Sequence, residues 1–284
     1  MTNQALLASF VGAYPAQPAT AFWRAIEIGM LARHGLPEGR GLDLGCGDGI
    51  LTDILLQETG PRTLVGVDPD PLETRAAARF SFYERLHTCP GDAIPEPSGS
   101  FDFVLSNSVL EHIPGLAATI AEIGRLLRNG GRFLFTVPGP GFHRNLAGSL
   151  LSRIGRSTYL ETLDRRLAHH HYLSPSDWKR ICGENGLVLD TCIGYLDRRE
   201  TRRWESLSRV TGGLLYSLYG QDKRPIEIQR SLGARDLQNK ARLPRPLARA
   251  FAQLISVGVP LEPKSSDALD VDLASCLLVL GHRA

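Results

Sequence analysis

Net charge is what this sequence has least of. Its 32 Lys and Arg are offset by 30 Asp and Glu, leaving +2, so no field of the whole molecule steers it toward nucleic acid. Cysteine is sparse too. The five cysteines (Cys46, Cys89, Cys182, Cys192 and Cys276) are odd in number and include no Cys-x-x-Cys pair. That argues against a disulfide framework and for a reducing cytoplasm. The opening MTNQALLASFVGAYPAQPAT lacks the basic region and continuous apolar run of a signal peptide. No uninterrupted apolar stretch approaches the ~20 residues of a membrane span. These absences predict a soluble, cytoplasmic protein. At 284 residues without internal repeats or low-complexity tracts, the chain can bury one large α/β core with an added subdomain.

Glycine is plentiful where it matters. The stretch RGLDLGCGDGIL, residues 40–51, reads as a buried strand running into a glycine-rich turn, with Asp43 two residues before the first glycine. A dinucleotide-binding turn has Gly-x-Gly-x-x-Gly and a helix N-terminus facing a pyrophosphate. Here the order is Gly45-Cys46-Gly47-Asp48-Gly49, and Ile50 stands where the third glycine would fall. Asp43 and Asp48 add negative charge beside the turn, which repels a pyrophosphate. They suit a cofactor bearing an ammonium and a sulfonium instead. After a helix-length segment, TLVGVDPDP (63–71) is a short apolar strand ending in Asp68. An acid at that tip, about 20 residues past the glycines, is placed to hold ribose hydroxyls. Next come a loop acid, Asp92, and a strand Phe101–Leu105 ending at Ser106-Asn107. A helix ending in RLLRNGG and the strand RFLFTVP (132–138) follow.

The motifs Asp-x-Gly-x-Gly-x-Gly, Val-Asp-Pro, Gly-Asp-Ala-x-Pro, Asn-x-Val-Leu-Glu-His-Ile and Leu-x-x-Gly-Gly, in this order, resemble the class I S-adenosylmethionine-dependent methyltransferases. The likeness is to the small-molecule group often called type 11 and spans roughly residues 38–190. It implies a Rossmann-like α/β fold, with a mostly parallel seven-stranded sheet flanked by helices, and S-adenosyl-L-methionine as cofactor. By motif match, Asp43 would lie near the methionine ammonium, and Gly45, Cys46 and Gly47 would give close backbone approach. Asp68 would hold the ribose, with Pro69 bordering the adenine. Asp92 would accept from the adenine amino group and the Ala93 amide would donate to the ring. The Asn107 backbone would face the amino-acid end. Three other readings compete. The missing third glycine and the two acids disfavour an NAD-dependent oxidoreductase, and Ser-Asn-Ser-Val replaces the Asn/Asp-Pro-Pro-aromatic motif of nucleic-acid enzymes. A non-catalytic scaffold would show a ruined glycine loop or a lost ribose acid, and neither is seen.

Four regions are expected: N-terminal helices (1–37), a cofactor-binding core (38–195), a helical insertion (196–270) and a last strand of the sheet (271–284). Phe10, Tyr14, Phe22 and Trp23 are the apolar anchors of the first. Between residues 196 and 250 stand 13 Lys and Arg against 6 Asp and Glu. With the apolar runs 214–220 and 250–259, this basic segment suggests peripheral contact with an anionic membrane surface through residues 198–250, or with an anionic acceptor. The acceptor itself is expected to be a small molecule or a glycan- or lipid-linked one, methylated at oxygen.

Histidines mark the acceptor side. His112, in LEHIP after the fourth strand, is the first choice of general base. His143, in the loop GPGFHRN, and His171 are weaker ones, with His169 and Tyr172 as acceptor contacts. The triplet His169–His171 invites a metal, but neighbours in an extended segment point alternately and cannot converge on one ion. No metal is expected there. Ser174 and Pro175 read as the start of a helix.

Overall fold

The computed structural model describes residues 2–149, 155–213, 243–259, 261 and 269–284. Seven strands form one sheet: β1 (Arg40–Leu44), β2 (Thr63–Asp68), β3 (Tyr83–Thr88), β4 (Phe101–Asn107), β5 (Leu127–Pro138), β6 (Leu187–Tyr195) and β7 (Cys276–Arg283). Their order is β3-β2-β1-β4-β5-β7-β6. Only β7 runs against the others, paired antiparallel with β5 and β6. The sheet is therefore the mostly parallel, Rossmann-like one expected. Chain direction switches sides between β1 and β4, so the crevice at their carboxyl ends is where an open α/β sheet takes its ligand.

The strands alternate between two buried faces, as parallel strands covered on both sides must. Along β2, Leu64 faces one core, whereas Val65 and Val67 face the other. The first face is covered by α1 (Asn3–Ala13), α2 (Pro18–His34) and α3 (Ile50–Thr59). The second is covered by α5 (Leu116–Leu126) and α8 (Pro175–Glu184). Helix α4 (Pro71–Ala77) joins β2 to β3, and short α6 (Phe142–Asn145) and α7 (Arg156–Leu167) follow β5. Ser174 caps α8 in a reciprocal box with Asp177, and Pro175 occupies its first turn.

One boundary differs from the sequence reading. Helix α5 stops at Leu126, because Leu127 turns extended and pairs with Phe101, so the Arg128–Gly131 stretch belongs to β5. Within the last region, 271–284, the strand itself is Cys276–Arg283, matching the strand-like run 275–283 to within one residue. Asp270 holds a turn ahead of it, its backbone carbonyl accepting from the Leu273 and Ala274 amides and its side chain from the Asp272 amide.

Between β6 and β7 lie α9 (Arg198–Ser208), a π-helical turn (Arg209–Gly213) and α10 (Arg245–Ile255). Leu196 adopts φ 58° and Asp197 then caps α9 in a second reciprocal box, with Glu200. This layer packs on the N-terminal helices: Trp204 meets Trp23 edge-on at 5.3 Å, and the Leu243 amide donates to the Gly12 carbonyl. The run 214–220 lies outside the described residues.

A lone acid in the apolar stretch of α2 ties these parts together. Glu27 is fully buried. Its Oε1 accepts from Ser108 Oγ (2.7 Å) after β4, Thr136 Oγ1 (2.6 Å) on β5 and Tyr195 OH (3.3 Å) on β6. Its Oε2 pairs with Arg24 at 2.5 Å. Removing one partner of a buried pair leaves an uncompensated charge, typically a loss of 3–5 kcal/mol. Glu27→Ala should therefore destabilise the fold by about 3 kcal/mol, read from the denaturant midpoint. A loss under ~1 kcal/mol would show that the sheet does not rely on this carboxylate.

Candidate active site

The glycine turn closes tightly on its neighbours. The Gly45 and Cys46 amides both donate to the Val67 carbonyl of β2 (2.7 and 3.0 Å), and the Gly47 amide donates to Asp68 Oδ2 at 3.0 Å. Gly45 has φ 80°, and a Cβ there would stand 2.2 Å from a Val109 methyl. Only glycine meets both demands. A Cβ at Gly47 (φ 52°) would meet only Glu73 Oε2, at 3.8 Å, and the residue is half-buried, which leaves it partly accessible.

The two leading acids are placed differently. Asp68 is half-buried at the tip of β2, its Oδ1 accepting from the Asp70 amide at 2.9 Å, and Pro69 beside it is exposed. A carboxylate has about four lone-pair sites, so these two amide bonds leave room for hydroxyls. Asp43 is turned inward instead. It is 2 % exposed, and its Oδ2 accepts from Thr52 Oγ1 (2.6 Å) and Tyr83 OH (2.5 Å). Burial pushes its carboxyl up to about 6. These contacts anchor α3 and β3 under the turn. Asp92 is exposed on the loop after β3, and the Ala93 amide makes a long 3.4 Å contact to Pro90 O. Cys46 is buried beneath the turn. Tyr14 of the N-terminal segment donates to Asp48 Oδ1 at 2.7 Å, the oxygen that also accepts from the Ile50 amide at 3.2 Å.

The chain leaves β4 through Asn107 and Ser108. Ser108 has φ 49°, a left-handed conformation rare outside glycine, held by its amide on Thr136 and its hydroxyl on Glu27. Asn107 is buried, and its Nδ2 has no partner among the described residues. Beyond it opens a cavity of ≈ 210 Å³ lined by Trp23, Arg24, Glu111, His112, His169 and Trp204, among others. Its walls are mixed: aromatic edges from α2 and α9, a cation from α2, and a cluster of titratable groups.

That cluster comes from two loops bound to each other. The His170 amide donates to the Glu111 carbonyl (2.8 Å), His112 Nδ1 to the Ala168 carbonyl (3.0 Å), and His171 Nε2 to the Ile113 carbonyl (2.9 Å). Carbonyl oxygens only accept, so His112 carries its proton on Nδ1 and turns Nε2 toward Glu111 Oε1, 3.9 Å away. Ligand atoms of Glu111, His112 and His169 lie within 4.8 Å of one another. The alternation expected of the triplet is observed: His169 enters the cluster, whereas His170 is exposed and His171 braces the backbone. The cation-binding set that geometry offers is therefore assembled across distant loops, where spacing arguments about the triplet do not reach. Burial pushes Glu111 up to about 8 and holds His169 down to about 3, with His112 nearby adding to the latter. Glu111 Oε2 has no partner among the described residues. His143 and Tyr172 stand one layer behind, both bonded to Asp164.

Comparison with known proteins agrees with this geometry. A family model described as "Methyltransferase domain" matches residues 22–191, and the chain belongs to that family. It is 27% identical over 164 residues to the ubiquinone biosynthesis O-methyltransferase of Aromatoleum aromaticum, covering 56% of this chain and 68% of that protein. Its identity to the protein of the same name from Pseudomonas aeruginosa is 32% over 187 residues, covering 63% and 77%. Among solved structures, an S-adenosylmethionine-dependent methyltransferase from Thermotoga maritima superimposes with TM-score 0.55. That match covers 99% of this chain and 100% of that one at 15% identity, a likeness of fold. The protein is a class I S-adenosylmethionine-dependent methyltransferase, with S-adenosyl-L-methionine as its cofactor.

The residues suit that cofactor on their own terms. Asp68 has lone pairs to spare at the tip of β2, Gly47 is approachable, and the unpartnered Asn107 Nδ2 and the nearby Arg24 offer donors at the amino-acid end. Arg24, Glu27 and Glu111 were not singled out in the sequence. A charged pair inside an apolar helix and an acid adjoining His112 were the available signals.

Two predictions test this assembly. A hydrogen bond to a charged group is worth about 1.5–3 kcal/mol, so Asp68→Ala should weaken S-adenosylhomocysteine binding roughly 10–100-fold by calorimetry. Unchanged affinity would remove Asp68 from the site. For Glu111, the folded protein keeps a proton that the unfolded chain has released between about pH 4.5 and about 8. Stability must then fall as pH rises through that window, by at most about 1.4 kcal/mol per unit. Glu111→Gln should remove this slope, and urea midpoints at pH 5 and 8 measure it. Parallel profiles for the two proteins would contradict the assignment.

Proposed function

We propose that the protein methylates a hydroxyl oxygen on a small, partly aromatic acceptor bound between Trp23, Trp204 and the His112–His169 pair. The observation that carries this reading is the cavity beyond β4, where two imidazoles and one buried carboxyl bring ligand atoms within 4.8 Å of one another. The relatives' name, with its O-methyl transfer, supports oxygen as the atom methylated. When bound, S-adenosylmethionine supplies a methyl group already activated as a sulfonium. The protein's tasks are then alignment, exclusion of water and removal of one proton.

Each task has its residues. Asp68, Pro69 and the Gly45–Gly47 backbone hold the nucleoside, with Asp92 and Ala93 at the adenine end. Asn107 and Arg24 hold the amino-acid end. Trp23 and Trp204, packed on each other, form one wall against the acceptor and keep water out. The hydroxyl proton passes to an imidazole Nε2 of the His112–His169 pair. A weak base suffices, since the oxygen becomes strongly acidic as it takes the methyl. Glu111, neutral at pH 7 when the cavity is empty, is positioned to ionise as positive charge enters.

A lipid-bearing acceptor belongs to the same proposal, together with peripheral membrane contact through residues 198–250. Arg198, Arg199, Arg202, Arg245 and Arg249 are exposed there, beside exposed Leu247 and Leu254 on α10. No described helix is long and apolar enough to cross a membrane. The five free cysteines support a reducing cytoplasm.

The test is a panel of phenols and amines offered with S-adenosylmethionine, products being read by mass spectrometry. O-methylated phenols are expected. Replacing both His112 and His169 by Gln should lower turnover at least ~100-fold while S-adenosylhomocysteine affinity stays within about twofold. N-methylated products, or equal losses of turnover and affinity, would overturn the reading. Activity lost in chelator and restored by a divalent ion would assign Glu111, His112 and His169 to a cation instead.

A further inference from the structure

Behind the cavity runs a chain of hydrogen bonds that cofactor binding does not require. His169 Nδ1 lies 3.0 Å from Tyr172 OH, and that hydroxyl donates to Asp164 Oδ1 at 2.5 Å. The same Oδ1 accepts from His143 Nε2 at 2.8 Å. The directions are fixed by what each atom can do. Asp164 as carboxylate only accepts, so Tyr172 uses its single proton there and must accept from His169. His169 therefore carries hydrogen on Nδ1 and a lone pair on Nε2, and its ring lines the cavity.

We propose that Tyr172 and Asp164, backed by His143, are positioning residues that fix His169 as the Nδ1–H tautomer and make it, rather than His112, the base that takes the acceptor's proton. This rests on the reading of the cavity as a hydroxyl-methylating site. The comparison between the two imidazoles decides it. His112 Nδ1 is held by a backbone carbonyl, its side chain is 39% exposed, and its Nε2 stands 3.9 Å from Glu111 Oε1. His169 is the more buried ring, and a carboxylate reaches it through one hydroxyl. Hydrogen bonding to His143 and Tyr172 holds Asp164 below the usual carboxylate range, although burial opposes this. Asp164 thus stays ionised and can stabilise the imidazolium as it forms. The arrangement follows the logic of base and orienting acid in hydrolases, with a tyrosine interposed. The bonds balance: the acceptor's O–H bond breaks as N–H forms at His169 Nε2, and the same oxygen gains the methyl whose bond to the sulfonium sulfur breaks, so the positive charge lost at sulfur reappears on the imidazolium.

The His169 amide donates to the Asp164 backbone carbonyl (3.1 Å), and contacts of Ala168, His170 and His171 to His112, Glu111 and Ile113 complete the loop's anchorage, all without the Tyr172 or Asp164 side chains. Tyr172 and Asp164 can therefore be altered without releasing the loop. The experiment uses full-length protein labelled with 15N-histidine and saturated with S-adenosylhomocysteine. His169 should show a protonated Nδ1 and an unprotonated Nε2. Tyr172→Phe should shift it toward the other tautomer or a mixture. In turnover, Tyr172→Phe and Asp164→Asn should lower kcat about 10–100-fold, leaving S-adenosylhomocysteine affinity within twofold. His169→Gln should cost more than His112→Gln. The near-isosteric Asp164→Asn covers the case in which Tyr172→Phe fails to fold. A protonated Nε2 in the unaltered protein, nitrogen shifts indifferent to both variants, or a larger loss from His112→Gln would each overturn the proposal. A protein that methylates no hydroxyl while showing the expected tautomer would fail the function reading instead, because the nitrogen shifts are read without turnover.

Discussion

The Glu27 carboxylate is the constraint on which the rest of the site depends. One buried acid on α2 gathers hydroxyls from the chain after β4, from β5 and from β6, and pairs with Arg24 on its own helix. Charge-assisted hydrogen bonds of this kind are strong and directional. They hold Ser108 in a left-handed conformation, which turns the chain sharply out of the sheet and sends Glu111 and His112 toward the cavity. They also fix α2 as a wall, so Trp23 and Arg24 face the same space. Fold and site are thus joined at a single point, and the N-terminal helices are part of the machinery rather than an appendage.

Burial then supplies the chemistry. Methyl transfer to oxygen needs a neutral acceptor of the proton and a place from which water is kept. The cavity has both: an imidazole held neutral by desolvation, and a carboxyl that desolvation keeps protonated until positive charge arrives. Pairs of titratable groups pushed in opposite directions by one environment are what acid–base sites look like. The aromatic edges of Trp23, Trp204 and Phe142 pack around this cluster. They set a low local dielectric in which such shifts persist.

The sheet was legible in the sequence because glycines and apolar runs report local demands. Gly45 is required by φ and by Val109, and Val65 and Val67 by burial on one face. Asp68 stands at the tip of its strand as spacing requires. The bonds that Thr52 and Tyr83 give the Asp43 carboxylate were not legible, because they come from elements that the motif does not contain. Glu27 and Asp164 were silent for a similar reason. Their partners lie 81 to 168 residues away for the Ser108, Thr136 and Tyr195 contacts of Glu27, and 21 residues away for the His143 contact of Asp164. No periodicity encodes such pairings. The histidine triplet shows the limit in the other direction: alternation correctly separated its members, yet His169 joins a cluster built with Glu111 and His112.

The central claim is that the acceptor's hydroxyl sits at the His112–His169 pair, between the tryptophans and the carboxyl end of β4. A crystal structure of the protein with S-adenosylhomocysteine and a phenol that it methylates tests this most directly. The account predicts the phenolic oxygen within hydrogen-bond distance of an imidazole Nε2 of the pair and close to the cofactor's sulfur. A phenol bound with its hydroxyl turned away from both imidazoles, or seated outside this cavity, would contradict it.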